Sequence, residues 1–386
     1  MHRSQTLLLA ALLAACGAEP ISTSAEASEA LRRERAELTV MTRNLYIGAD
    51  ILRVANAQGP AQVALAVSET FAMVKATDFP ARARLIAEEI EQTRPDVVGL
   101  QEVATWQTGG DAACNGDPTP QAANVAYDFL EILQHALRHQ GLHYDVASEI
   151  TTRDIELCDA TGQDVRYTDR DVVLVRHGLP TRGAASATFQ AAAVFPVVLD
   201  PSTDPPTVVE IRLPSGWNAV EVRKGHQWFR VVETHLEDLL PVDPPYLVQL
   251  AQAGELVATI LGMAQQPLPT ILVGDFNAAA EPTFEQPTYG FLAGGQPFPP
   301  ELGIPELAGL QSPFQDSWLA LRHGRPGFTW GFAEDLKSGK LTERLDLTLG
   351  WGVKPLATRR TGLRGLTCSG LRASDHAGVV TTFAAH

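Results

Sequence analysis

The sequence predicts an α/β domain in which helices pack outside β-sheets. Hydrophobic residues make up 45% of the 386 residues and charged residues 19%, which is typical of a globular protein with a sizeable core. From Leu38 onward, strand-like apolar runs alternate with segments whose apolar residues recur at helical spacing. Strands interleaved with helices along one chain place the helices on the outer faces of the sheets.

The predicted elements follow this alternation almost to the end of the chain. Strands are predicted at residues 38–43, 96–101, 171–176, 217–222, 228–236, 270–273, 344–350 and 377–383, of which 217–222 and 228–236 form a hairpin. Helices are predicted at residues 80–93, 125–137 and 246–263. Residues 105–121 are predicted as a loop, and the Pro- and Gly-rich residues 282–313 as a surface excursion within one domain.

The first residues have the layout of a secretory signal, with Arg3, an apolar stretch at 7–13, and two small residues before Cys16. This end resembles the lipobox of bacterial lipoproteins, in which the cysteine is acylated and becomes the first residue. A plain signal peptide with an incidental cysteine is the alternative. We therefore expect a signal at 1–15, a lipid on Cys16, a tether at 16–37 and one domain at 38–386. The protein is then exported, and is either anchored in the cell envelope or extracellular.

The net charge of −15 becomes one unit more negative if Arg3 is removed. Such a protein lacks the global basic surface of a tight nucleic-acid binder, although this does not exclude chemistry on a phosphate. Export permits disulfides. Cys114 and Cys158 both lie in polar, turn-rich stretches, and we predict that they pair, whereas Cys368 is left over.

Polar residues cluster where the predicted strands end, and rigid strands hold such side chains well for lining a crevice. In chain order the motif residues are Asn44, Gln101, Glu102, Thr234, His235, Gly274, Asp275, Phe276, Asn277, Asp346, Ser374, Asp375 and His376.

Some of these residues suit the binding of a hard cation. Glu102, Asp275 and Asn277 offer the oxygen ligands that Mg²⁺ prefers. No thiol competes with them, and the histidines lack the spacing of a zinc site. Taken alone, Asp275 and Asn277 are equally typical of a turn.

Other residues suit acid–base chemistry on a phosphate. His376 stands beside Asp375, and Asp346 is available to fix its tautomer and raise its basicity. His235 adds a second imidazole that could bind or protonate a phosphate oxygen. Each has a structural alternative, since Asp346 could simply pair with Arg344. Trp330 and Trp351 are predicted to be packing residues.

The complete ordered series resembles the endonuclease/exonuclease/phosphatase superfamily over residues 38–383. That group includes deoxyribonuclease I-like enzymes, abasic-site endonucleases, bacterial sphingomyelinases and inositol polyphosphate phosphatases. The resemblance implies a four-layer fold, with two packed β-sheets between outer helices. It also implies hydrolysis of phosphoesters that depends on Mg²⁺ or Mn²⁺.

The resemblance further implies a role for each matching residue. Glu102 is the main metal ligand, and Asn44 supports the metal or the phosphate. Asp275 and Asn277 orient the attacking water or coordinate a metal. A second set of residues acts on the phosphate or orients the residues that do. This group consists of His235, His376, Asp346 and Asp375.

In that group, His235 and His376 contact the scissile phosphate and Asp346 orients His376. Asp375 is a supporting or metal-binding carboxylate. Arg170 matches a phosphate-facing arginine, and its alternative is a surface charge paired with Asp169 or Asp171.

Three functions stay open at the level of sequence. The first is a nuclease or other phosphodiesterase. The second is a sphingomyelinase- or phospholipase C-like enzyme or an inositol-phosphate phosphatase. The third is an inactive binding module, which the complete residue set disfavours. The expected partners are a phosphoester substrate and a membrane contacted through the lipid anchor, and the expected state is a monomer.

Overall fold

A computed structural model describes residues 36–117, 119–200, 207–240, 244–263, 268–280, 286–322 and 324–385. The predicted signal, the lipidated Cys16 and nearly all of the tether lie outside these residues. Among the residues that the structure describes, no helix is long and apolar enough to cross a membrane.

The strands in chain order are β1 (Glu37–Asn44), β2 (Val97–Gln101), β3 (Thr105–Thr108), β4 (Asn124–Asp128), β5 (Tyr144–Cys158), β6 (Asp164–Arg176), β7 (Thr181–Thr188), β8 (Ala193–Asp200), β9 (Thr207–Leu213), β10 (Gly216–Lys224), β11 (Gln227–His235), β12 (Thr270–Asp275), β13 (Gln315–Asp316), β14 (Trp330–Phe332), β15 (Gly339–Glu343), β16 (Asp346–Trp351), β17 (Val353–Thr361) and β18 (Gly378–Ala385). The helices are α1 (Leu52–Ala55), α2 (Pro60–Ala76), α3 (Phe79–Thr93), α4 (Phe129–His139), α5 (Leu247–Gly262), α6 (Pro287–Ala293) and α7 (Ser317–Leu321).

Two mixed sheets form the body of the domain. The first runs β17-β18-β1-β2-β6-β3-β4, with β5 also paired to β6, and the second runs β13-β16-β12-β11-β10-β7. β1 is parallel to β2, and β11 is parallel to β12. The remaining strands form two short two-stranded ribbons, β8–β9 and β14–β15.

Alternating side chains on the strands divide the core into layers. In the space between the sheets, Val97 of the first sheet meets a cluster that includes Val231 and Ile271 of the second. Their neighbours Val98 and Leu100 face α3 and α4, while Val232 and Leu272 face α5 on the other side. Because the strand period is two residues, each buried strand serves both an inner and an outer layer. The predicted four-layer arrangement is confirmed.

The structure corrects two local predictions near the first sheet. Residues 105–108 are not loop but β3, and the segment predicted as helix from residue 125 begins as β4. The helix starts only at Phe129, because Asp128 in an extended conformation accepts hydrogen bonds from the backbone N–H groups of Leu130 and Glu131.

The predicted surface excursion is also wrong for its described part, residues 286–313. α6 and the segment after it bury Phe291, Phe298 and Leu307 against α5. Gly254 of α5 permits this, because a Cβ there would lie 2.6 Å from Phe298 and 2.7 Å from Leu307.

The predicted pairing of Cys114 with Cys158 is confirmed, and Cys368 is free and exposed. The bridge joins the segment after β3 to the end of β5 across a sequence separation of 44 residues. A loop of that length stabilises the folded chain by about 4 kcal/mol in the chain-entropy account.

Candidate active site

Strand register brings the predicted site residues to one end of the two sheets. In the second sheet, His235 pairs across β11–β12 with Asp275, and Asp275 pairs across β12–β16 with Asp346. In the first sheet, Asn44 pairs with Gln101, the residue before Glu102. A cleft of about 590 Å³ opens there, and its lining includes Glu102, His235, Asp275, Asn277, Asp375 and His376.

His376 and Asp346 form a buried imidazole–carboxylate pair. His376 Nδ1 lies 2.8 Å from Asp346 Oδ2, and its Nε2 lies 3.5 Å from Asp275 Oδ2. Burial lowers the pKa of His376, but the carboxylates of Asp346, Asp275 and Asp375 outweigh burial and raise it well above the ordinary value. The pair fixes the ring so that Nε2 is the nitrogen nearest Asp275.

The side chain of Asn44 bridges the carboxylates of Glu102 and Asp275. Its Nδ2 donates to Glu102 Oε1 at 2.9 Å and to Asp275 Oδ2 at 3.0 Å, and its Oδ1 accepts from the backbone of Tyr46 at 2.8 Å. Burial, followed by the charges of Asp375 and Asp169, raises the pKa of Glu102 to about 7. Several carboxylates thus share a buried space, where the positive charges that oppose their raised pKa values come from His376 and Arg82. Oxygen-rich sites of this kind suit a hard cation.

His235 and Asn277 also line the cleft. Asn277 Nδ2 donates to Leu236 O at 2.8 Å and lies 3.2 Å from His235 Nε2. The backbone N–H of Asn277 donates to Asp275 Oδ1 at 3.0 Å. Burial lowers the pKa of His235 to about 4, although Asp275 opposes this shift. His235 is therefore neutral at pH 7, so its ring nitrogens interact by hydrogen bonding and not by charge.

Arg170 lies away from the lining of the cleft. It pairs with Asp128 at 2.7 Å and with Glu149 at 3.4 Å, whereas the sequence suggested Asp169 or Asp171 as its partner. Among the described residues that line the cleft, the one arginine is Arg153 of β5. The sequence does not identify Arg153 as a cleft residue, because its strand has no regular alternation of apolar and polar residues.

Two buried arginines hold the loops that carry the site. Arg82 donates to the backbone oxygens of Leu45, Tyr46 and Ala373, at 2.6, 3.1 and 3.0 Å. Arg43 donates to the backbone oxygen of His376 at 2.7 Å. The sequence holds a clue to Arg82, which recurs at helical spacing with the buried Ile86 and Ile90 of α3.

Two further residues reach the cleft. Asp50, for which the sequence suggests no role, lines it and accepts a hydrogen bond from the backbone of Leu52 at 2.8 Å. Trp330 is 37% exposed and lies at the cleft, so its prediction as a packing residue is wrong. Trp351 does pack, with its ring centroid 6.4 Å from that of Phe314.

A buried polar network links the two sheets directly behind the site. Glu233 accepts from Gln101 Nε2 at 2.8 Å and from Asn218 Nδ2 at 3.1 Å. Burial is the largest cause that raises the pKa of Glu233, to about 8. Gln101 precedes Glu102 and Glu233 is two residues from His235, so the network fixes the strand ends that carry both.

The raised pKa predicts how stability changes with pH. An unfolded Glu233 releases its proton near its ordinary value of 4.5, whereas the folded one keeps it until about pH 8. Between those values the folded state binds the extra proton, so the free energy of unfolding falls as pH rises, by up to about 1.4 kcal/mol per pH unit. Glu233→Gln should flatten this slope in urea unfolding measured across that window. Equal slopes in both proteins would show that Glu233 is ionised in the fold.

The comparisons with known proteins agree with the fold. The profile of the Endonuclease/Exonuclease/phosphatase family matches residues 72–376. A truncated TDP2 from Caenorhabditis elegans superposes with a TM-score of 0.50 at 16% identity, covering 90% of this chain and 98% of that one. An endonuclease/exonuclease/phosphatase family protein from Bacteroides thetaiotaomicron gives 0.50 at 16% identity, covering 92% and 99%. No curated protein sequence matches the chain. Because the family profile spans more than half of the sequence, the chain belongs to the endonuclease/exonuclease/phosphatase family.

Proposed function

We propose that the protein is a Mg²⁺-dependent phosphodiesterase. The observation that carries this proposal is the meeting of the His376–Asp346 pair with the carboxylates of Glu102 and Asp275, which Asn44 joins. An acid–base imidazole and a set of oxygen ligands beside it are the two parts that hydrolysis of a phosphodiester needs.

The residues present fit a hard divalent cation. Ligand atoms of Asp275, Asp346 and His376 lie within 4.8 Å of one another, and Asp346 Oδ1 is buried without a hydrogen-bond partner. His376 Nδ1 is already held by Asp346, so Glu102 and Asp275 are the groups that would hold the ion. When bound, the cation would offset the charge of these carboxylates and polarise a phosphate oxygen.

The chain's own residues supply the remaining chemistry. The carboxylates raise the pKa of His376, and a bound cation would favour its neutral form by offsetting their charge. In that neutral form His376 Nε2 takes a proton from the attacking water, and Asp346 fixes the tautomer that leaves Nε2 free to do so. Asn277 and the neutral His235, which also line the cleft, hydrogen-bond the phosphate oxygens or the water. Arg153 adds positive charge in the cleft, moderated by Glu237 at 3.5 Å.

Hydrolysis of bis(p-nitrophenyl) phosphate by the purified protein tests the proposal. We expect turnover with Mg²⁺, its loss on chelation and its return when Mg²⁺ is added back. Full activity in excess chelator contradicts the metal requirement. No turnover of this diester, of p-nitrophenyl phosphate, DNA, RNA, sphingomyelin or inositol phosphates supports the alternative of an inactive binding module.

We also propose, from the sequence alone, that the protein is exported and anchored through lipid on Cys16. Cys16→Ser should release the protein from the membrane fraction or block its processing. If parent and variant fractionate alike and both begin at another residue, the anchor hypothesis is wrong.

A further inference from the structure

An aromatic ring and a carboxylate stand side by side at the edge of the cleft. Trp330 of β14 is the register partner of Glu343 of β15, so the two side chains lie on the same face of this ribbon. Both line the cleft, and the ring centroid of Trp330 is 6.5 Å from that of His376. Glu343 makes no side-chain hydrogen bond or ion pair with any residue that the structure describes.

The rest of the rim is acidic. Besides Glu343, the lining includes Asp50, Glu237, Asp238 and Glu334. Glu237 is 6% exposed, and its Oε2 has no hydrogen-bond partner. Arg153, the one arginine among the described lining residues, already pairs with Glu237 and lies 3.7 Å from Asp169. Such a rim repels a strand of many phosphates and attracts a positive group.

We infer that Trp330 and Glu343 form a subsite for the ammonium group of an amino-alcohol esterified to the scissile phosphate. The substrate is then a zwitterionic phosphodiester, and this inference rests on the proposed phosphodiesterase function. An exposed aromatic face attracts a cation through its quadrupole, and an adjacent carboxylate adds charge attraction.

The position of Trp330 and Glu343 beside His376 decides which of the two phosphoester bonds of the substrate is kept. The water that His376 activates forms the new P–O bond and gives its proton to His376 Nε2. The leaving alcohol departs on the opposite side with the electron pair of the broken P–O bond and then takes up a proton. A group held beside His376 is therefore retained, and the product is a phosphomonoester of the amino-alcohol.

Matched chromogenic esters test the subsite in the purified protein with Mg²⁺. The first is p-nitrophenyl phosphocholine, and the second is its neutral isostere, in which 3,3-dimethylbutanol replaces choline. The third is the p-nitrophenyl ester of thymidine 5′-phosphate. We expect kcat/KM for the choline ester to exceed that of the isostere by about tenfold, the scale of a cation–aromatic contact assisted by charge. The nucleotide ester should be slower than the choline ester.

Variants of the lining residues test which side chains cause the preference for the choline ester. Glu343→Gln and Trp330→Leu should bring the choline-to-isostere ratio close to one, and Trp330→Phe should restore part of it. The control variant Glu334→Gln also removes one negative charge from the rim, where Glu334 pairs with Arg53. It should leave the choline-to-isostere ratio unchanged. Equal rates on the two esters in the parent, or a ratio that survives both Glu343→Gln and Trp330→Leu, would overturn the subsite. So would faster cleavage of the nucleotide ester.

Product binding separates this inference from the function on which it rests. Calorimetry with Mg²⁺ should show tighter binding of phosphocholine than of 3,3-dimethylbutyl phosphate, and equal affinities overturn the subsite. Failure to hydrolyse any ester overturns the proposed function, and the binding comparison still decides the subsite. Cleavage of glycerophosphocholine indicates a soluble substrate, whereas cleavage confined to phosphatidylcholine vesicles indicates a lipid headgroup. Either result supports the inference.

Discussion

Replacing His376 by alanine is expected to lower kcat for phosphodiester hydrolysis by about 10²–10⁴-fold, the usual contribution of a well-placed proton acceptor. His376 Nε2 is the ring nitrogen that faces Asp275 in the cleft, while Nδ1 is occupied by Asp346 at 2.8 Å. Alanine removes the proton acceptor and leaves the cation ligands in place. Steady-state kinetics at saturating Mg²⁺ measures the loss, and a parent-like rate would contradict the role of His376.

The same variant should also lose stability, because His376 is only 4% exposed. Alanine leaves the carboxylate of Asp346 buried without its imidazole, which costs more than an exposed pair would. His376→Gln is the better-matched variant, since its amide fills more of the space and can donate to Asp346 but cannot accept a proton from water. A comparable loss of kcat in the glutamine variant, at higher stability, assigns the kinetic effect to chemistry.

A double-mutant cycle with Asp346→Asn tests how His376 is oriented. Asp346 acts on the reaction through the imidazole, so its loss should matter much less once His376 is already alanine. Losses that simply add would show that Asp346 serves the site in another way.

Much of the site could be predicted because its residues end strands whose register the apolar pattern already fixes. The runs before Glu102, His235 and Asp275 are buried and short, so their last residues have little freedom of position. Once β11, β12 and β16 align, His235, Asp275 and Asp346 must lie in one row across the sheet.

The contributions of Arg153 and Trp330 could not be predicted because they depend on tertiary neighbours. β5 has a mostly exposed or half-buried pattern, so nothing local indicates that Arg153 turns inward. Trp330 lies in a three-residue strand whose partner β15 has five residues. An isolated tryptophan is usually buried, and only the bridge between Trp330 and His376 brings this one to the cleft.

Glu102→Gln is expected to lower activity at fixed Mg²⁺ by about 10²-fold or more, because cation-assisted phosphoryl chemistry supplies several kcal/mol. Glu102 uses both oxygens, with Oε1 accepting from Asn44 Nδ2 at 2.9 Å and Oε2 from the backbone of Ile47 at 2.7 Å. Glutamine keeps one of these acceptors and loses the negative charge. The variant should therefore bind Mg²⁺ more weakly as well as react more slowly.

Thermal unfolding with and without Mg²⁺ separates a cation ligand from a merely structural residue. In the parent, a bound cation raises the free energy of unfolding by about 2.7 kcal/mol at a hundred times its Kd, and Tm rises with it. In Glu102→Gln the metal-free Tm should change little. One lost hydrogen bond costs about 1 kcal/mol, and removal of a carboxylate that Asp375 and Asp169 repel opposes that cost. The rise of Tm with Mg²⁺ should disappear, whereas Glu334→Gln on the rim should keep it. If the Tm of Glu102→Gln still rises with Mg²⁺ as the parent's does, other residues hold the cation. A cation that stabilises only the folded state must lose that effect when its main carboxylate ligand is removed.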